Sequence, residues 1–208
     1  MYNTFLPINK QRKNNFNLTG GGVVEKNSIV PKPTIEPMKN TEKPITKDIL
    51  DILKNMDFPI KTPAKDKTRS NVLKKGQTEI EAFVLGKVRA YDKVELVNSV
   101  KNIKFPVLFN LLKKLVRTHN PSFKYTSIQI NKSVGTNWHR DRGNRGLSYC
   151  FALGDYTGGG VVIEFEDGSQ KTFDNHNKWL KYDGHSLLHK TASHKGKDRF
   201  AIIFYTHY

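Results

Sequence analysis

Apolar side chains recur at intervals of three and four in two segments of the first half of the chain, residues 46–56 and 106–117. This spacing places them on one face of a helix, so it predicts two amphipathic helices whose apolar faces cover a sheet. Thr46 is the expected N-cap of the first helix. Between the helices, residues 80–91 are rich in β-branched and aromatic side chains, which predicts a strand or a hairpin kinked at Gly86.

From residue 124 onward the pattern changes to short alternating segments separated by turns rich in glycine and aspartate. Alternation with a period of two is typical of half-buried strands. The expected strands cover residues 125–131, 138–141, 147–153, 159–165, 171–173, 179–182, 187–190 and 199–205. Many short strands at this spacing predict a mainly β fold, a sandwich or jelly roll with flanking helices.

These patterns divide the chain into three parts. Residues 1–44 combine asparagine, lysine and glycine with five prolines, the last of them Pro44, and are expected to form a disordered basic tail. Residues 45–104 are expected to form a helix and strand extension of the core that takes part in substrate recognition. Residues 105–208 are expected to form the catalytic domain.

The formal net charge is +16, and the positive charge is spread along the whole chain. A basic surface gains affinity for phosphates, so we expect a nucleic-acid partner, with DNA favoured over RNA. A composition heavy in lysine and asparagine could also reflect genomic base bias. No apolar run reaches the roughly 20 residues that span a bilayer, and the N-terminal residues lack the apolar core of a signal peptide. With Cys150 as the single cysteine, these features predict a soluble, intracellular protein without a membrane partner.

The candidate chemistry centres on His139 and Asp141, which are separated by one residue. On an extended strand both side chains point to the same face and can take neighbouring positions on one metal ion. His189 lies at the end of a later apolar strand and is the expected third ligand. Two histidines and one carboxylate form the facial set that leaves positions open on non-haem Fe(II). The other histidines fall at chain ends or in turns, and His119 is expected at the surface.

Arg199 opens the last apolar strand, where a guanidinium group is unusual without an anionic partner. Its planar fork suits a carboxylate at the inner end of a barrel. The alternative is a salt bridge to Asp198 or another acid.

Taken together, these residues resemble the Fe(II)/2-oxoglutarate-dependent dioxygenase superfamily, whose core is a double-stranded β-helix. The resemblance covers roughly residues 105–208 and rests on four features: His139-x-Asp141, Asp155-Tyr156-x-Gly158-Gly159, Tyr182-Asp183-Gly184 ahead of His189, and Arg199 ten residues past that histidine. It implies that His139, Asp141 and His189 hold Fe(II). It also implies that Arg199 binds the distal carboxylate of the co-substrate 2-oxoglutarate, and that O₂ is the oxidant.

The chain departs from that pattern at Ala201, where many members of the superfamily carry serine or threonine. The co-substrate carboxylate therefore needs another polar contact. Gln129 or Asn131, on the adjacent expected strand, is the candidate.

Within the superfamily, residues 125–131 and the run Asp141-x-x-Asn144-x-Gly146-x-Ser148 are similar to the TET/J-binding-protein type, which oxidises the methyl group of 5-methylpyrimidines in DNA. Arg140, Arg142 and Arg145 crowd the loop that carries the ligands and, with Asn144, are the expected substrate contacts. The alternative is that these arginines pair with nearby acids: Asp155, Glu164 and Glu166.

The sequence thus predicts a dioxygenase that hydroxylates a C–H bond, on a nucleobase methyl group in nucleic acid. One alternative is a protein hydroxylase of the prolyl or lysyl type from the same superfamily. The other is a basic nucleic-acid-binding protein that keeps the fold without catalysis, although nothing in folding requires His139, Asp141 and His189 together.

Overall fold

The structure is a computed structural model that describes residues 30–62, 72–74, 76–90 and 95–207. It contains three helices: α1 (Lys43–Asn55), α2 (Lys101–Lys104) and α3 (Pro106–His119). Its strands are β1 (Thr34–Pro37), β2 (Ile60–Lys61), β3 (Ile80–Arg89), β4 (Leu96–Asn98), β5 (Ser127–Lys132), β6 (Asn144–Leu153), β7 (Thr157–Gly158), β8 (Val161–Glu164), β9 (Gln170–Phe173), β10 (Lys178–Tyr182), β11 (Leu188–Thr191), β12 (His194–Lys195) and β13 (Phe200–His207).

The strands form one large and two small antiparallel sheets. The large sheet has the order β1-β10-β6-β13-β5-β3-β2, with β4 paired to β3. The small sheets have the orders β11-β8-β9 and β12-β7. Neighbours such as β13 and β5 are distant in sequence, as expected when strands wind between two facing sheets. The predicted mainly β jelly roll with flanking helices is confirmed.

The two faces of the large sheet have different partners. Along β13, Phe200, Ile202 and Phe204 belong to the main apolar core, together with the buried faces of α1 and α3. The intervening residues Ala201 and Ile203 line a cavity on the opposite face. Because side chains alternate along a strand, residue 199 falls on the cavity side as well. The helices therefore support the site from behind.

The kink predicted in the long third strand is present at Gly86, where φ is +84°. A Cβ atom there would lie 2.4 Å from the carbonyl oxygen of Thr126. Only glycine fits both this conformation and this close approach.

The structure corrects the expected boundary at the start of the fold. Residues 34–37, assigned to the tail, form β1 and pair with β10. The first helix begins at Lys43, not beyond an N-cap at Thr46, because Pro44 lies in the first turn, where a missing N–H costs no hydrogen bond. The predicted disorder of residues 1–29 lies outside the described residues.

His119 is the second correction. It was expected at the surface, but only 7% of it is exposed. Its Nδ1 lies 3.0 Å from Oε1 of Glu42, and its Nε2 lies 3.0 Å from Oε2 of Glu36. Glu42 also accepts a hydrogen bond from the indole N–H of Trp179. This buried cluster joins both main helices to the large sheet, and a surface site for His119 is wrong.

Among the described residues, no helix combines the length and apolar character needed to cross a membrane.

Candidate active site

The structure brings His139, Asp141 and His189 together at the mouth of the fold. Nε2 of His139 lies 3.7 Å from Oδ1 of Asp141, and Nε2 of His189 lies 3.6 Å from its Oδ2. One ligand atom from each residue lies within 4.8 Å of the other two. Separations of this size suit ligand atoms that share one ion at bond lengths of about 2.1 Å.

The backbone that carries these ligands differs from the expected strand over residues 138–141. His139 makes a single antiparallel bridge with His189, in which each residue's N–H donates to the other's carbonyl. Asp141 N–H donates to the carbonyl of Gly184 at 2.8 Å. The two histidines are therefore direct backbone partners, which holds their rings 4.3 Å apart between centroids.

Backbone carbonyls fix the tautomer of both imidazoles. Nδ1 of His139 lies 2.7 Å from the carbonyl oxygen of Asn137, and Nδ1 of His189 lies 2.9 Å from that of Leu187. Because a carbonyl oxygen can only accept, each Nδ1 carries the proton. In the neutral rings each Nε2 then offers its lone pair toward Asp141, as metal ligation requires.

The Asp141 carboxylate is held from two sides. Asn144 is buried and its amide lies 3.4 Å from Oδ2 of Asp141. On the other side, a Cβ atom at Gly184 would lie 3.0 Å from the same oxygen. The structure thus places Asn144, an expected substrate contact, against the metal ligand. Gly184 belongs to the Tyr182-Asp183-Gly184 motif and provides the space for the carboxylate.

Arg199 is buried, with only 2% of its surface exposed. Its Nε and Nη2 both donate to the carbonyl oxygen of Gly159, at 3.0 and 2.6 Å. Its Cζ lies 5.5 Å from the ring centroid of Tyr156. Burial lowers the pKa of the guanidinium below its usual value, although an arginine stays charged at neutral pH.

No carboxylate lies within 4.0 Å of Arg199 among the described residues, so the alternative of a salt bridge to Asp198 is wrong. The surroundings are aromatic and cationic. The Tyr156 ring packs on His176 at 4.4 Å and on His194 at 6.2 Å between centroids. Burial, followed by the charges of Arg199 and Lys74, lowers the pKa of His194. A buried positive charge without a protein counter-ion leaves a place for an anion.

The metal-ligand cluster and Arg199 line one cavity of about 470 Å³, named here the Arg199 cavity. Gln129, Asn131 and Ala201 line it too. Asn131 is directly opposite Ala201 in the pairing of β5 with β13, as expected for neighbours. The Gln129 amide donates to Oδ1 of Asn131 at 2.7 Å, so this pair orients itself along the cavity wall.

A second opening of about 630 Å³, the Trp138 cleft, adjoins the first. Its lining includes Trp138, Arg140, Arg142 and His207, and it shares His139 with the Arg199 cavity. The Lys190 ammonium lies 4.4 Å from the Trp138 ring centroid. The cleft therefore combines aromatic faces and positive charge beside a metal ligand.

The expected substrate arginines separate into two groups. Arg140 and Arg142 line the Trp138 cleft, whereas Arg145 is exposed on β6 and lines neither opening. None of the three forms an ion pair with Asp155, which pairs with Lys54 at 2.6 Å. Arg142 has no ion-pair partner among the described residues.

The sequence reasoning missed Asn175, which is buried in the wall of the Arg199 cavity. It belongs to an Asp-Asn-His-Asn segment that was interpreted only as a turn. No local signal marks one asparagine of such a segment as inward-facing. Tyr156, by contrast, lies in the glycine-containing motif that carried the resemblance.

No family model and no curated protein matches the sequence. Solved structures do match. A 2OG-Fe(II) oxygenase family oxidoreductase from Burkholderia pseudomallei is 14% identical with a TM-score of 0.53, over 83% of this chain and 84% of that one. OsALKBH1 is 13% identical with a TM-score of 0.51, over 85% and 98%.

A prolyl hydroxylase from Trichoplax adhaerens, in complex with a hypoxia-inducible-factor peptide fragment, is 11% identical with a TM-score of 0.50, over 84% of this chain and 83% of that one. At these identities the likeness concerns the fold. The expected fold, that of 2OG-Fe(II) oxygenases, is confirmed.

Proposed function

We propose that this protein is an Fe(II)/2-oxoglutarate-dependent dioxygenase that hydroxylates a C–H bond, on a nucleobase methyl group of nucleic acid. One observation carries the proposal: a two-histidine, one-carboxylate cluster and a buried arginine without a counter-ion line the same cavity. The first suits a metal with open positions, and the second suits a carboxylate. The fold shared with 2OG-Fe(II) oxygenases agrees with it.

His139, Asp141 and His189 would hold Fe(II). Both imidazoles present Nε2 toward Asp141, while their Nδ1–H groups are fixed on carbonyls. When bound, iron and 2-oxoglutarate would supply the oxidising power that inserts an oxygen atom from O₂ into a C–H bond, leaving succinate and CO₂.

Arg199 would bind the distal carboxylate of 2-oxoglutarate. Its two donors to Gly159 fix the guanidinium plane, so the remaining N–H groups have a set direction before the anion arrives. Gln129 or Asn131 would add a polar contact beside Ala201. Apolar residues in the cavity wall, among them Val161, Ala201 and Ile203, would exclude water from this ion pair, which strengthens it.

The Trp138 cleft would receive the substrate. It shares His139 with the Arg199 cavity, so a group bound there lies next to the metal. Arg140 and Arg142 would contact phosphates, and Trp138 would stack on a base. The net charge of +16 supports a polyanionic partner. A base within a duplex would first have to leave the stack.

Metal binding is tested with the apo protein and Mn(II), followed by titration calorimetry, and with anaerobic Fe(II) plus 2-oxoglutarate, followed by its visible charge-transfer band. The parent should bind one metal ion and develop the band. His139→Ala should lose both, whereas His176→Ala, a histidine outside the cluster, should keep metal binding. A band of equal strength in His139→Ala would show that the ligand assignment is wrong.

The substrate class is tested by succinate release over pools of methylated DNA, methylated RNA and peptides, with mass spectrometry of nucleosides and of intact peptides. Nucleic-acid turnover should fall at least tenfold in the double variant Arg140→Gln/Arg142→Gln. Arg117→Gln, the same change on the exposed face of α3, should leave turnover unchanged. Turnover of peptides alone would identify a protein hydroxylase. Salt-sensitive DNA binding without succinate would identify a non-enzymatic protein.

A further inference from the structure

The carboxamide of Asn175 is a buried polar group whose hydrogen bonding is incomplete. Only 2% of the residue is exposed, and it lines the Arg199 cavity. Its Nδ2 lies 3.6 Å from the sulfur of Cys150, while its Oδ1 has no hydrogen-bond partner among the described residues. A buried amide with an unused polar atom is destabilising unless something else satisfies it.

The backbone places this amide one strand away from Ala201, with Ala152 between them. In the large sheet, Ala201 lies between Asn131 on β5 and Ala152 on β6. The Ala152 N–H donates to the carbonyl of Asn175, and the Asn177 N–H donates to that of Ala152, both at 2.9 Å. The segment that carries Asn175 is thus hydrogen-bonded to β6, on one side of Ala201, whereas Asn131 lies on the other side, on β5. The methyl group of Ala201 carries no hydroxyl that could serve a ligand between them.

The neighbouring thiol can accept a hydrogen bond from the amide nitrogen or donate one to the amide oxygen. Burial raises the pKa of Cys150 to about 12, so its sulfur carries a proton at neutral pH and can donate. The amide oxygen and nitrogen are interchangeable by a half-turn of the side chain. In the turned orientation, the thiol donates to Oδ1 and both hydrogens of Nδ2 are free for the cavity. Each polar atom of Asn175 and Cys150 then has a hydrogen-bond partner, provided that the cavity holds an acceptor.

We propose that Asn175 binds the co-substrate: its NH₂ group donates to the distal carboxylate of the keto acid held by Arg199, in place of the hydroxyl missing at Ala201. The inference rests on the proposed function, which supplies the keto acid. A hydrogen bond to a charged group in a dry site corresponds to roughly a 10- to 100-fold difference in affinity. Because Asn175 and Arg199 are distant in sequence, only folding can bring both side chains to the same carboxylate.

The test measures 2-oxoglutarate affinity of the Mn(II)-loaded full chain by titration calorimetry, without turnover. Asn175→Ala should weaken binding about 10- to 100-fold, and Asn175→Asp, which keeps the shape but adds negative charge, should weaken it further. Adding Ala201→Ser to the Asn175→Ala variant should restore much of the affinity by adding a hydroxyl donor to the wall of the same cavity. Asn55→Ala, on the exposed side of α1, should change nothing.

Each result is decisive. Parent-like affinity in both Asn175 variants overturns the inference, as does a weakened Asn175→Ala variant that Ala201→Ser fails to improve. Thermal melting of every variant accompanies the titrations. If Asn175→Ala does not fold, the near-isosteric Asn175→Asp variant decides alone. A parent protein that binds Mn(II) but no 2-oxoglutarate overturns the proposed function itself, a different outcome from loss in the variants only.

Discussion

The Arg199→Met variant should distinguish the effect of Arg199 on ligand binding from its effect on stability, because no described residue gives the arginine an anionic partner. The guanidinium is 2% exposed, donates twice to one carbonyl oxygen and lies 5.5 Å from the Tyr156 ring centroid. Methionine has a similar length and no charge. The variant should lose 2-oxoglutarate binding while its free energy of unfolding stays close to that of the parent.

The magnitudes follow from those contacts. An unpaired buried charge costs several kcal/mol of desolvation, which the variant regains. Against this, it leaves the Gly159 carbonyl without a donor, at about 1–3 kcal/mol, and loses a cation–π contact of about 1–2 kcal/mol. These terms nearly cancel, so the free energy of unfolding should change by no more than about 2 kcal/mol. Truncating one partner of a buried charge pair costs about 2–5 kcal/mol in binding, or roughly 30- to 4000-fold.

The assay pairs urea unfolding of the apo protein with calorimetric titration of 2-oxoglutarate into the Mn(II) form. Arg199→Lys is the matched control: it keeps the charge but loses the planar fork, so its affinity should fall between the other two. Parent-like affinity in Arg199→Met would refute the assignment of the anion site. A loss of stability well beyond about 2 kcal/mol would instead make Arg199 a structural residue, since the predicted cancellation would have failed.

Three further changes test the surroundings of the site. Glu42→Ala should lower the free energy of unfolding by about 3–5 kcal/mol, because Trp179 and the rest of the buried cluster lose their acceptor. A free energy of unfolding within about 1 kcal/mol of the parent, measured by urea unfolding, would contradict this. Gly184→Ala should weaken Mn(II) binding about tenfold or more by displacing the Asp141 carboxylate, and unchanged calorimetric affinity would exclude that contact. The folded-state pKa of Cys150, about 12, lies above its ordinary value of 9.0, so its stabilising contribution is present below that value and is lost as the pH rises toward 12. Parent and Cys150→Ala should therefore diverge in unfolding titrations above pH 9, and parallel curves would show that the thiol is accessible.

Local periodicity determined most of the elements. The apolar spacing of residues 106–117 reports which face of the helix is buried, and the structure confirms it. The site ligands were also readable, because His139-x-Asp141 is short and His189 lies in an apolar context that the other histidines lack.

Partners distant in sequence were decided only by the tertiary structure. His119 looks like an exposed helix end until Glu36 and Glu42, which are about 80 residues earlier in the chain, bury it. Asn175 looks like a turn residue until the backbone of Ala152 fixes it beside the cavity. A sequence pattern reports how each segment divides its own faces, but the burial of a polar side chain depends on which remote group meets it, and that is settled when the strands pair.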